Sequence, residues 1–396
     1  MSLKTTPFHP RTAALCESHA WRRWSGYLAA SSYALSHERE YHAIRASAAL
    51  FDVSPLYKYI ITGKDAARLL DRMVTRDVMK CAVGQVLYTP WCDAHGKVVD
   101  DGTVSRLDDV TYRLTSAEPN LRWLSMNAHG MNVYVSDVSR STGALALQGP
   151  LSRTILQQLT PADLSTLKYF RLVNTTLRDV PVTISRTGYT GDLGYEIWVP
   201  AEQAVRVWDA LADVGSAYGI VPAGIWALDI ARIEAGLIML DVDYFSSHHA
   251  MIPDQLSSPY EINLGWAVSD TKGPFNGRKA LRAEKQRGPA WSFVGLDIEW
   301  ESFERLHRER GLAPHVPNVA WRSSHPIYRS GSQVGYATSG TWSPLLKKYI
   351  ALGHVGSAHA KHGTEIEIEM TVEHRRKRAR ATIHKLPFFD PPRKKA

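Results

Sequence analysis

Between residues 58 and 240 the chain keeps returning to one plan: β-rich runs joined by glycine-marked turns, then an amphipathic helix. That recurrence constrains the fold most, because hairpins separated by helices build α+β layers rather than a doubly wound parallel sheet. "YKYIITGKDAARLLDRMV" predicts a strand over Lys58–Thr62, a turn at Gly63-Lys64 and a helix from about Asp65. "GQVLYTPWCDAHGKVVDDGTVSRL" predicts a hairpin about His95-Gly96. "TYRLTSAEPNLRWL" continues as strand then helix, and "ALALQGPLSRTILQQL" repeats the plan with its break at Gly149-Pro150. "VPVTISRTGYTGDLGYEIWVPAEQAVRVWDALADVG" gives a second hairpin and a helix whose Ala204, Val207 and Leu211 share a face. "AGIWALDIARIEAGLIML" reads as a further apolar helix.

After Arg287-Gly288-Pro289 the texture changes to short strands with Gly and Pro turns, which predicts an all-β terminal domain, sandwich or barrel. With 396 residues the chain is too long for one ordinary core, so two or three packed domains are expected. No apolar run approaches a membrane span, and the amino-terminal stretch lacks a secretory pattern. Cys16, Cys81 and Cys92 make no C-x-x-C pair, so reduced thiols in a cytoplasmic protein are expected. The net charge of +8 gathers at residues 374–385 and 393–395. The first cluster alternates charged with small or β-branched residues, as a solvated strand does; no zinc-finger or phosphate-loop spacing accompanies it, so no nucleic-acid partner is expected.

Three places carry chemistry. Asp100 and Asp101 in "GKVVDDGTV" follow a β-branched run, so alternation sends them to opposite faces, one toward solvent and one toward an interior or cleft. Such a pair also suits an ordinary turn or surface position. Glu196, set between Tyr195 and Ile197, falls on the returning strand after the Thr190-Gly191-Asp192 turn. It reads either as a half-buried partner of an arginine or as an acceptor for a ligand with adjacent N–H donors, such as an amino-pyrimidine ring. Tyr88, Tyr169 and Tyr189 would supply flat walls for that ring. Arg232 lies on the apolar helix with Asp229 and Glu234 nearby, neither four residues away, so a local helical pair is not expected; a core ion pair or a carboxylate clamp both fit. His248-His249 has no partners at metal spacing, so no metal site is expected.

The phrases "LFDVSPLYKYIITGKDA", "GKVVDDGTV", "ALQGP", "SRTGYTGDLGYEI", "ALDIARIEAG", "PYEINLGWAV" and "GYATSGTWSPLLKKYIALGHV" together, in this order, resemble the aminomethyltransferase family. That family includes the glycine-cleavage T-protein and tetrahydrofolate-dependent demethylases. The resemblance implies a three-domain, ring-like α+β fold ending in a C-terminal all-β barrel or sandwich. It divides the chain into a folate-binding catalytic region of two intertwined α+β subdomains over residues 1–286 and a barrel over 290–396. By motif position it implies Asp101 as the catalytic aspartate and Glu196 as the glutamate that grips the pterin ring. It further implies Tyr88, Tyr169 and Tyr189 beside tetrahydrofolate, with Arg232 among the folate-site residues.

Some positions depart from the T-protein pattern. Pro55 and Leu56 stand where T-proteins carry a His-Met pair, Ser116 stands for an asparagine, and "WRRWSGYLAASSY" differs from the usual entrance segment. These changes fall on the expected donor side. The resemblance so read implies transfer of a methyl group from a small N-, O- or S-methyl compound to N5 of tetrahydrofolate. The alternative is aminomethyl transfer, which requires a lipoyl carrier protein as partner. A non-catalytic folate-binding role is a third reading; the "K-G-C-[YF]-x-G-Q-E" segment of such relatives is missing here.

Overall fold

A computed structural model describes residues 3–396. One five-stranded antiparallel sheet has the order Val86–Cys92, Val98–Arg106, Thr111–Ser116, Tyr57–Thr62, Tyr134–Asp137. Tyr59, Ile61, Val104 and Leu114 on its apolar face are sealed by Leu69, Leu70 and Met73 of helix Ala66–Met73 and Leu124 of helix Leu121–Asn127. A six-stranded sheet has the order Leu172–Leu177, Val180–Ser185, Gly194–Pro200, Thr142–Gln148, Ala48–Asp52, Ile220–Pro222. Its last strand pairs parallel and the rest antiparallel. Helices Ser152–Gln157 and Ala204–Ser216 cover one face, with Tyr195, Ile197 and Val199 beneath them. Helices Glu38–Ala46 and Ile225–Glu234 pack on the other, against Phe51, Ala144, Ala146 and Trp198.

The two sheets are interleaved in sequence. The chain lays down Ala48–Asp52 in the larger sheet, crosses through residues 53–56, builds the smaller sheet, and returns at Thr142. The crossing is pinned: the Ala144 amide donates to the Ser54 hydroxyl at 3.1 Å. The buried Lys58 ammonium donates to the carbonyls of Ser54 and Leu56 at 2.7 and 2.8 Å. Burial brings the Lys58 pKa down to about 8, opposed by the nearby Asp52.

The terminal region, expected as a sandwich or barrel, is a closed six-stranded barrel. One helix, Trp300–Arg308, accompanies the strands and drops Phe303 and Leu306 into the barrel core. One expectation is corrected here, concerning "IEAGLIML": the helix stops at Glu234, and Gly236 at φ +64° supplies the left-handed turn that ends it. The basic run forms the barrel strand Arg375–His384, whose outward arginines pair with neighbouring acids, Arg376 with Glu369, Arg378 with Glu367 and Arg380 with Glu299. Glu234 ties the layers together by accepting from Tyr41, Arg45 (2.5 Å) and Ser343 (2.5 Å), the last from the barrel. Cys16, Cys81 and Cys92 are free and buried. Among the described residues no helix is long and apolar enough to cross a membrane.

Candidate functional site

The smaller sheet has one apolar face and one polar face, and its register says which residues share the polar one. Tyr88 lies opposite Thr103, Thr103 opposite Thr115, and Thr115 opposite Lys58. Residues two apart in a strand share a face, so Asp101 and Arg113 join this set. On the larger sheet the same rule puts Glu196 and Trp198 on the face opposite Tyr195 and Ile197, away from the helix-covered core. The guanidinium carbon of Arg113 lies 4.0 Å from the centroid of the Trp198 ring, so the two faces meet. That answers why a carboxylate interrupts an apolar strand: its neighbours belong to a core, whereas Glu196 looks the other way and is half-buried.

Asp101, also half-buried, accepts a 2.6 Å hydrogen bond from the Tyr88 hydroxyl on one oxygen and one from the Tyr244 hydroxyl on the other. Burial pushes its carboxyl above the ordinary aspartate range, and the two phenols, Tyr244 more than Tyr88, hold the shift back. Asp100 does point to the opposite face, but the expectation that one of the pair meets solvent is corrected. Its exposure is 0%, because the Asn120 side chain and the Glu118 amide cap it at 2.8 and 3.0 Å. Burial, then the charge of Asp101, push the Asp100 carboxyl well up.

Around this pair the Tyr88 ring stacks on Trp266 (centroids 6.2 Å apart, 26° between planes), and the Arg76 guanidinium lies 5.5 Å from the same indole. Tyr189 is half-buried, donates its hydroxyl to the Ile238 carbonyl, and lies within the electrostatic reach of Tyr88 and Asp101. A cleft of about 220 Å³ opens beside Tyr244, lined by Asp243, Phe245, Arg322, Tyr336 and Thr338.

Glu196 accepts from the Thr187 hydroxyl on one oxygen; burial raises its pKa, and the Thr187 bond and the nearby Arg113 charge oppose the rise. Tyr169 is half-buried, feels the Glu196 charge, and has its phenol pushed up to about 12 by burial. Its ring meets Phe170 edge-on at 4.6 Å.

Arg232 is placed differently, in the core with 0% exposure. It donates to Asp229 at 2.9 Å and to Asp243 at 2.5 Å. The expectation of no local helical pair is therefore corrected: the pair with Asp229 spans three residues, a spacing that also puts side chains on one helix face. Asp243 in turn accepts from the Met239 amide at 2.9 Å, which fixes the turn that delivers Tyr244 to Asp101.

Asp101, Tyr88 and Tyr189 thus form one group, Glu196 and Tyr169 a second, joined where the faces of the two sheets meet at Arg113 and Trp198, with Arg232 beneath the first. The sequence reading missed Tyr244, Thr187, Trp266 and Arg113. Arg113 had a signal: pairing the Asp101 strand with the next one puts this charge on the same face. Ser116, expected on the donor side, instead pairs with Gly102 and faces away with Asp100; Thr115 occupies the site face. One Glu196 oxygen is left open, beside a guanidinium with unpaired N–H groups. A flat ligand carrying adjacent donors next to an acceptor fits that pair of groups.

Comparison with known proteins follows the same outline. The "GCVT N-terminal domain" family matches residues 8–272, and the "Glycine cleavage T-protein C-terminal barrel domain" matches 308–390. An aminomethyltransferase of Halothermothrix orenii is 33% identical over 381 residues, 95% of this chain and 96% of its own. One of Moorella thermoacetica is 34% identical over 397 residues, 99% of each chain. The crystal structure of glycine cleavage system aminomethyltransferase T from Bartonella henselae superposes with a TM-score of 0.83 at 25% identity, covering 98% of this chain and 99% of that one.

Proposed function

The chain belongs to the glycine cleavage T-protein family and is an enzyme of it, and on that premise we propose that it is an aminomethyltransferase using tetrahydrofolate. The carbon would pass from a sulfur-bound aminomethyl donor on a lipoyl carrier protein to tetrahydrofolate, with release of ammonia and the free thiol. The observation that carries the reading is the extent of the likeness: relatives named aminomethyltransferase align along 95–99% of the chain, beyond the folate site itself.

The residues fit the pteridine. The open oxygen of Glu196 is available to its N–H donors, and Tyr169 and Tyr189 offer ring walls. When bound, tetrahydrofolate supplies the nucleophilic nitrogen. Asp101, ionised, holds a proton at that nitrogen and steadies positive charge there. Tyr88 and Tyr244 keep the carboxylate oriented by occupying one oxygen each. Arg232 acts through others: its pair with Asp243 fixes the residue next to Tyr244. Bringing donor and acceptor together in line supplies several kcal/mol, up to roughly 7–11 in favourable cases.

Transfer from a small methylated donor is the second reading. It keeps Pro55 and Leu56, in the crossing between sheets, and the amino-terminal segment in its favour. It loses Ser116, which turns away from Asp101. The two readings separate in one assay of tetrahydrofolate conversion. Formation of 5,10-methylene-tetrahydrofolate that requires the aminomethyl-loaded carrier supports aminomethyl transfer. Formation of 5-methyl-tetrahydrofolate from a small donor without carrier overturns it, and folate binding with neither product points to the non-catalytic role.

A further inference from the structure

Arg113 is buried yet short of partners. Its exposure is 4%, and its Nε and one terminal nitrogen, Nη2, have no hydrogen-bond acceptor. A guanidinium stripped of water and left with free donors is costly, so such an arrangement calls for an acceptor from outside the chain. These two nitrogens form one edge of the guanidinium fork, the edge suited to accepting atoms of a planar ligand. The ring of Trp198 fixes the other dimension by stacking beneath the cation.

The charged neighbours are accounted for. Lys58, on the same face, spends its ammonium on the Ser54 and Leu56 carbonyls. Glu196, two residues before Trp198, is turned to Thr187 and makes no ion pair with Arg113 among the described residues. Burial brings the Arg113 pKa down to about 9, with the nearby Glu196 charge opposing the fall.

Position along the sheet says which part of a ligand arrives here. Arg113 pairs with Ser105, four residues on from Asp101. At about 3.3 Å per residue that is roughly 13 Å from the reacting end. Arg113 therefore belongs to the Glu196 end, where a ring is held, and not to the donor carbon. A 2-amino-4-oxopteridine presents two adjacent donors and, next to them, one carbonyl. Glu196 suits the donors, and a guanidinium suits the carbonyl. Resting on the tetrahydrofolate reading, we propose that Arg113 recognises the 4-oxo group of the pteridine and so strengthens the enzyme's preference for 4-oxo over 4-amino pteridines.

The test is binding measured by calorimetry, using tetrahydrofolate and its 4-amino-4-deoxy counterpart. Wild-type protein should bind the 4-oxo compound more tightly. Arg113→Met should weaken that binding about 10- to 100-fold, the scale of a hydrogen bond from a charged donor, and shrink the preference to the part that Glu196 keeps through the N3–H that the 4-amino compound lacks. Arg113→Lys, which keeps a charge and guards against a variant that fails to fold, should recover part of it. An undiminished preference in Arg113→Met, or equal weakening of both ligands with a matching drop in Tm, overturns the assignment alone. Wild-type protein that binds neither pteridine overturns the folate reading and the assignment together.

Discussion

Tyr244→Phe is the sharpest probe of the acid at the centre of the site. The substitution removes one hydroxyl and almost no volume, at a side chain only 2% exposed, so the packing around it persists. What changes is Asp101, which keeps the Tyr88 bond at 2.6 Å and loses the other. A hydrogen bond to a charged acceptor is worth about 1.5–3 kcal/mol. One pKa unit corresponds to about 1.4 kcal/mol, so the loss amounts to roughly one to two units. The sign is fixed by which form the hydroxyl favours. It donates to the carboxylate, so removing it disfavours the ionised form and raises a pKa that burial has already raised. If turnover needs ionised Asp101, the acid limb of the kcat/KM profile moves toward neutral pH by that amount, and the rate recovers at higher pH. The assay is kcat/KM for tetrahydrofolate conversion across pH at constant ionic strength. An acid limb that stays where it is in wild type while the plateau falls at every pH, or a limb displaced to lower pH, would refute the reasoning.

Asp101→Asn should leave tetrahydrofolate affinity nearly unchanged and cut turnover by about 10²–10⁴-fold, read by calorimetry beside steady-state kinetics. Glu196→Ala should weaken tetrahydrofolate binding by about 3 kcal/mol, two charge-assisted bonds at their lower value; unchanged affinity would remove Glu196 from the pteridine site. Arg232→Met leaves Asp229 and Asp243 buried with a partner missing, so stability should fall by roughly 3–5 kcal/mol, seen as a large drop in Tm.

The hairpins and helices around Asp101 and Glu196 were legible because each strand there has one covered and one uncovered face, which prints a period of two into the sequence. The helix Trp300–Arg308 was not, since it lies among strands and its two anchors, Phe303 and Leu306, look like any short apolar run. Alternation placed Asp100 and Asp101 on opposite faces but could not say that Asn120 and the Glu118 amide would roof one of them over. Tyr244 and Thr187 reach the two acids from loops and strand ends brought close by the fold, and sequence spacing carries no trace of that. The Arg232 pair was misjudged for a simpler reason: three-residue spacing serves as well as four.

The alternation of the chain between its two sheets has a consequence for synthesis. Ser54 and its partner Ala144 stand 90 residues apart, so the strand before Ser54 leaves the ribosome long before the strand that must lie beside it. At about 5–20 residues per second the wait is roughly 5–18 seconds. During that interval the strand edge is unpaired in the nascent chain, a state that invites wrong partners and makes a holding chaperone useful at this stage of translation.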